Sequence, residues 1–177
     1  MRLKKILVLC LFTVAAGVPA LAQAPKPAPA SRAAVAAPGS KAPAPNTKAA
    51  APRTIDIIGT DEMKYSVTTI TARPGELIRI RMISRGTIPK VAMAHNVVVV
   101  KPGLDLNKFL TAGAPHRATD FIAPELQNSV IAQTPFAGPG EATQVVFTVP
   151  AKPGRYPYLC TFAGHFMAGM QGTLIVK

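Results

Sequence analysis

The C-terminal stretch Gly154–Lys177, GRYPYLC-TFAGHFMAGM-QGTLIVK, decides how the rest of the chain is read. Gly154 to Cys160 and Thr173 to Lys177 read as strands at either end of it. Between them, Cys160, His165 and Met170 bring a thiol, an imidazole and a thioether within eleven positions. Those are soft and borderline ligands, which suit copper better than any hard cation. Cys160 ends a strand and starts a loop, so a turn at Gly164 can bring His165 back beside the thiolate, and a second turn through Gly169 can return Met170. One more imidazole completes the set. His95, in Met93-Ala94-His95-Asn96 just before the apolar run Val97 to Val100, supplies it. The four residues His95, Cys160, His165 and Met170 point to a mononuclear copper site, nearly planar through Cys and two His with a weak axial thioether, of the kind that passes single electrons.

Outward from this stretch, residues 53–177 read as all-β. Thr54 to Ile58, Lys64 to Thr71 and Glu76 to Ile83 are rich in Ile, Val and Thr and are separated by turn residues such as Arg73-Pro74-Gly75. With Val97 to Val100, Ser129 to Thr134, Thr143 to Val149 and the two C-terminal runs, they make eight short strands. Eight strands in about 125 residues predict a Greek-key β-sandwich or flattened barrel. Asp105 to Gln127 breaks the spacing. Within it Leu106 to Leu110 suits a helical turn or two, and the remainder reads as a flap over one edge.

The first fifty residues are different in kind. Residues 1–22 have a basic start (Arg2, Lys4, Lys5), an apolar stretch from Ile6 to Ala16 and a small-residue cleavage site at Ala20-Leu21-Ala22. That is the pattern of a secretory signal peptide, and Gly17 and Pro19 cut it short of the roughly 20 apolar residues a membrane span needs. In residues 23–52 twelve of thirty positions are Ala and seven are Pro, a composition with little to bury that predicts a disordered, semi-stiff linker. The chain carries a net +12. Seven of its twenty basic residues precede residue 53, which leaves thirteen against all eight acids, or +5, for residues 53–177. The basic residues do not cluster and match no nucleic-acid-binding motif.

Removal of the signal takes Cys10 with it, leaves Cys160 alone and rules out an internal disulfide. An unpaired cysteine can be an inert core residue, a nucleophile or a metal ligand. A nucleophile needs a base and an orienting group, and no acidic residue lies between Tyr156 and Lys177 to orient His165. Met82 reads as core and His116 as a surface or hydrogen-bonded residue. Met167 is a weaker axial candidate than Met170, because two residues leave little loop to turn it inward. Zinc is chemically open to the same residues, although it normally takes a fourth firm ligand instead of a thioether.

Cys160-Thr161-Phe162-Ala163-Gly164-His165, followed by Met170-Gln171-Gly172-Thr173-Leu174, resembles the copper loop of azurin-like cupredoxins, members of the plastocyanin/azurin family of type 1 blue copper proteins. The likeness takes in Ile88-Pro89-Lys90, Met93-Ala94-His95-Asn96 and Val130-Ile131-Ala132-Gln133-Thr134. It implies copper held by His95, Cys160, His165 and Met170, with the Ala94 carbonyl on the opposite axis and amide hydrogen bonds near Asn96 and Phe162 reaching the sulfur. Four residues separate His165 from Met170 where azurins have three, a spacing nearer that of rusticyanin and auracyanin. Ala163 replaces a usual proline and restores an N–H near the thiolate.

The resemblance further implies an electron carrier, not an enzyme; the signal pattern places it in the periplasm, and a monomer is expected. It would shuttle between redox protein donors and acceptors that dock on an apolar patch formed by Met93, Ala94, Phe166, Met167 and Ala168. A second copper centre would need more than the three histidines present. The competing function is an envelope copper-trafficking or copper-sequestering protein, which would rely on exposed Met or His clusters that the sequence lacks.

Overall fold

The computed structural model describes residues 51–177. The expected signal peptide and all but the last two residues of the expected linker lie outside the described residues. Strands form where the β-rich runs fall: β1 Arg53–Thr60, β2 Thr69–Ala72, β3 Leu77–Arg85, β4 Val98–Val100, β5 Val130–Gln133, β6 Ala142–Thr148, β7 Gly154–Leu159 and β8 Gln171–Val176. They build a three-stranded sheet in the order β1-β3-β6 and a five-stranded sheet in the order β2-β8-β7-β4-β5. The pairs β1–β3 and β2–β8 are parallel and the others antiparallel. The expected eight-stranded sandwich is the architecture observed.

The period-two pattern of β3 shows why the sheets face each other. Ile78, Ile80 and Met82 are fully buried, while Arg79 and Arg81 turn to the other face. Arg81 pairs there with Asp56, its register partner on β1, at 2.6 Å. Across the core the inward side chains of β3 join Ile57, Val97, Val99, Tyr156, Tyr158 and Leu174 in one cluster. Each large aliphatic side chain so buried stabilises the fold by about 1.5–3 kcal/mol.

Strand β4 is buried on both faces, which accounts for its unbroken valines. Val97 and Val99 enter the main core, whereas Val98 and Val100 meet a second cluster with Phe109, Ile122 and Leu159. The flap therefore lies over the outer face of β4 and β7, not only along an edge as the sequence suggested. Its helix α1 runs Leu106–Gly113, longer than expected, and Asp105 caps it by accepting from the amides of Asn107 and Lys108.

The expected strand Lys64 to Thr71 is only half present. β2 begins at Thr69, and the preceding residues turn back on β1 through a left-handed Met63 (φ 56°) and an isolated bridge between Gly59 and Tyr65. Backbone bonding explains the difference: Ser66 donates to the Ile58 carbonyl and its hydroxyl accepts from the Ile58 amide at 2.8 Å, so Tyr65 and Ser66 pair with β1, and backbone pairing with the five-stranded sheet begins only at the Thr68 carbonyl, which accepts from Thr173 on β8. No helix among the described residues is long and apolar enough to cross a membrane.

Candidate metal centre

Antiparallel pairing of β4 with β7 matches Val98 to Leu159. That register puts His95, three residues before Val98, and Cys160, one residue after Leu159, at the same end of the five-stranded sheet. The turn between β7 and β8 then carries His165 back. Gly164 and Gly169 sit at φ 84° and 95°, a region that favours glycine, so both expected turns are present. The loop closes on itself through backbone bonds from Ala168 to Gly164, Gly169 to Phe166 and Met170 to His165. At its neck the Cys160 amide donates to the Met170 carbonyl at 3.1 Å.

The ligand atoms of His95, Cys160 and His165 all lie within 4.8 Å of one another. The Cys160 sulfur is 3.5 Å from His165 Nδ1, and the two imidazole centroids are 5.0 Å apart. Met170 is fully buried beside them, its methyl and the His95 ring both packing against Gly59. The Ala94 carbonyl faces the sulfur at 3.9 Å. His116 is half-buried and stays outside the cluster, Met82 is in the core, and Met167 is 79 % exposed.

His95 supplies the test of whether these residues fit a metal. Its side chain is fully buried, and neither ring nitrogen has a hydrogen-bond partner. An orphaned buried polar group is costly, of order 1–3 kcal/mol, and a metal ion would satisfy one of these nitrogens directly. Protonation states agree with that fit. Burial pushes the Cys160 thiol up to about 12, although the amides of Asn96 and Phe162 donate to its sulfur and pull the other way. Burial, aided by the neighbouring His95, pushes His165 down to about 4. His95 is also lowered by burial, against a smaller opposing pull from the Asp61 carboxylate. At neutral pH the site thus offers two neutral imidazoles and a protonated thiol, whose proton must leave for a metal to bind. The Ala163 amide is not one of the donors that act on the sulfur.

The support behind the ligands was only partly visible in the sequence. The Asn96 side chain links the two ligand segments, donating to Thr161 Oγ1 at 2.9 Å and accepting from the Thr161 amide at 3.0 Å. Thr161 Oγ1 donates in turn to the Asp120 carbonyl at 2.6 Å. Gly59 was missed altogether: a Cβ there would lie 2.5 Å from the Met82 methyl, 2.8 Å from that of Met170 and 3.0 Å from His95 Cδ2. A glycine inside an Ile-rich strand is the signal that could have revealed it, since it marks a close approach. Ala94 is 2 % exposed and drops out of the expected surface patch.

Among known families, residues 54–177 match the one described as copper binding proteins, plastocyanin/azurin family. The chain is 35 % identical over 132 residues to azurin from Pseudomonas aeruginosa, a match covering 72 % of this chain and 87 % of that protein. It is 32 % identical over 117 residues to auracyanin-B from Chloroflexus aurantiacus, covering 66 % of this chain but 48 % of the relative, about half its length. Among solved structures it is similar to auracyanin A, a "blue" copper protein of Chloroflexus aurantiacus. There the TM-score is 0.64 at 31 % identity, over 72 % of this chain and 100 % of the other.

Proposed function

Since the chain belongs to the plastocyanin/azurin family of copper-binding proteins, we propose that residues 53–177 are a one-electron carrier whose copper is held by His95, Cys160, His165 and Met170. The observation that carries this reading is the fully buried His95 ring, both nitrogens unpartnered, beside the buried free thiol of Cys160 and a second imidazole. Copper bound there supplies a Cu(I)/Cu(II) couple. The protein's part is to keep the ligands in one arrangement for both oxidation states, so that little reorganisation accompanies the electron. Asn96 serves this by tying the His95 segment to the Cys160 segment. The amides of Asn96 and Phe162 withdraw density from the sulfur, which raises the potential.

Burial of all four side chains supports a carrier over a trafficking protein, whose site must release its metal readily. Met167, Phe166, Met93 and Ala168 form the docking patch for redox protein donors and acceptors, with Met167 the most exposed. Residues 1–22 direct export to the periplasm and residues 23–52 tether the domain. The N-terminal sequence of the mature protein tests that division.

The decisive experiment is the visible spectrum of the copper-loaded protein. One copper per chain with intense thiolate-to-copper absorption toward the red, abolished by Cys160→Ser, is expected. Copper bound through nitrogen and oxygen alone would refute the carrier and favour trafficking.

A further inference from the structure

Two adjacent residues of the segment that turns back on β1 each reach a different half of the site. Lys64 Nζ donates to the Ala168 carbonyl, between His165 and Met170 in the ligand loop. Tyr65 donates its hydroxyl to the Asn96 carbonyl, next to His95. The bridge between Gly59 and Tyr65 holds this segment extended, so consecutive side chains leave it on opposite sides. Lys64 therefore goes outward over the loop and Tyr65 inward, where it is 6 % exposed.

The contact on the loop is selective. The carbonyls of Gly164, His165 and Phe166 each accept an amide from within the loop, whereas the Ala168 carbonyl takes its donor from a residue 104 positions away. Lys64 forms no ion pair among the described residues, so its ammonium is not diverted. Even a methyl group on Gly169 would meet that ammonium, at 2.8 Å.

We propose that Lys64 and Tyr65 are positioning residues, a two-point clamp that sets the spacing between the His95 segment and the His165–Met170 loop before any metal binds. The Lys64 ammonium also favours the less positive oxidation state of the metal and so raises its potential. This second effect rests on the ligand set proposed above; the clamp itself does not.

Amide hydrogen exchange in the metal-free protein tests the clamp directly. Lys64→Met keeps the unbranched aliphatic shape, one heavy atom shorter, and removes the donor. It should speed exchange at Gly169 and Met170 by roughly tenfold, the scale of one exposed charge-assisted hydrogen bond, while Lys64→Arg retains protection. Tyr65→Phe removes only the hydroxyl and should raise exchange at His95 and Val97 while leaving Gly169 unchanged. In copper-loaded protein Lys64→Met should lower the reduction potential, by an amount that shrinks as salt is added, and Lys64→Arg should not. Wild-type exchange rates in Lys64→Met would overturn the clamp, and a potential identical in Lys64→Met and Lys64→Arg would overturn the electrostatic effect. A wild-type chain without thiolate-to-copper absorption would sink the carrier reading alone, since the exchange measurement uses no copper.

Discussion

Gly59→Ala is the sharpest probe of how the site is packed. The added methyl would sit 2.5 Å from the Met82 methyl, 2.8 Å from the Met170 methyl and 3.0 Å from His95 Cδ2. Ordinary carbon contacts are about 3.5–4.0 Å, so the intrusion is roughly 1 Å at its worst point. The ends of two methionines can swing, but both residues are fully buried in a close-packed core and must displace others to do so. Overpacking of this kind costs about 1–3 kcal/mol. Replacing a glycine in a strand returns about 0.5–1 kcal/mol of backbone entropy. The net loss is about 0–2.5 kcal/mol, centred near 1 kcal/mol, which is roughly 4 °C in melting temperature for a domain of this size. Urea denaturation of the metal-free and copper-loaded forms would measure it, with the visible spectrum as a second readout. The loss should be greater with copper bound, because the methyl pushes Met170 and His95 at the metal. Equal stabilities and an unchanged spectrum in Gly59→Ala would refute the packing argument.

Other outcomes follow from the same geometry. Asn96→Ala strands the buried Thr161 amide, while the Thr161 hydroxyl keeps its bond to the Asp120 carbonyl, and should cost about 1–3 kcal/mol by urea denaturation; no measurable loss would mean that water replaces the side chain. Met167→Lys should slow electron exchange with a protein partner and spare the spectrum, since the residue is exposed and Met170 is not; an unchanged rate removes Met167 from the docking patch. The metal-free protein should lose stability as pH falls from about 6.5 to about 4. In that window the unfolded chain takes a proton on His165, while the folded chain, whose ring is held down to about 4, does not. Because the unfolded state then binds more protons, the slope of stability against pH is positive there. It should flatten in His165→Asn, and an undiminished slope in that variant would assign the effect elsewhere. Gly172→Ala sets a methyl against the Tyr158 ring, which cannot swing as a methionine does, so it should destabilise more than Gly59→Ala, as thermal melts would report.

The residue pattern alone carried most of the strands and pointed to the residues proposed as copper ligands, because both are written largely locally. Period-two burial in β3 follows from strand geometry, and the apolar run Val97 to Val100 marked a strand whose burial on two faces the fold then showed. The loop from Cys160 to Met170 closes by its own turns, so Cys160, His165 and Met170 could be brought together on paper without knowing what lies beneath them. Tertiary structure decided what depends on pairing between distant segments. Lys64 to Ser66 has the composition of a strand continuing into β2, yet it folds back on β1 because Ser66 and Tyr65 find partners at Ile58 and Gly59. The same fold-back carries Lys64 to Ala168 and Tyr65 to Asn96, contacts that span 104 and 31 residues and leave no local trace. Whether Gly59 was a weak point in a strand or the floor of a metal site could be known only once Met170 and His95 came to rest against it. Side-chain periodicity reports which face of an element is buried; it cannot report what stands on the other side.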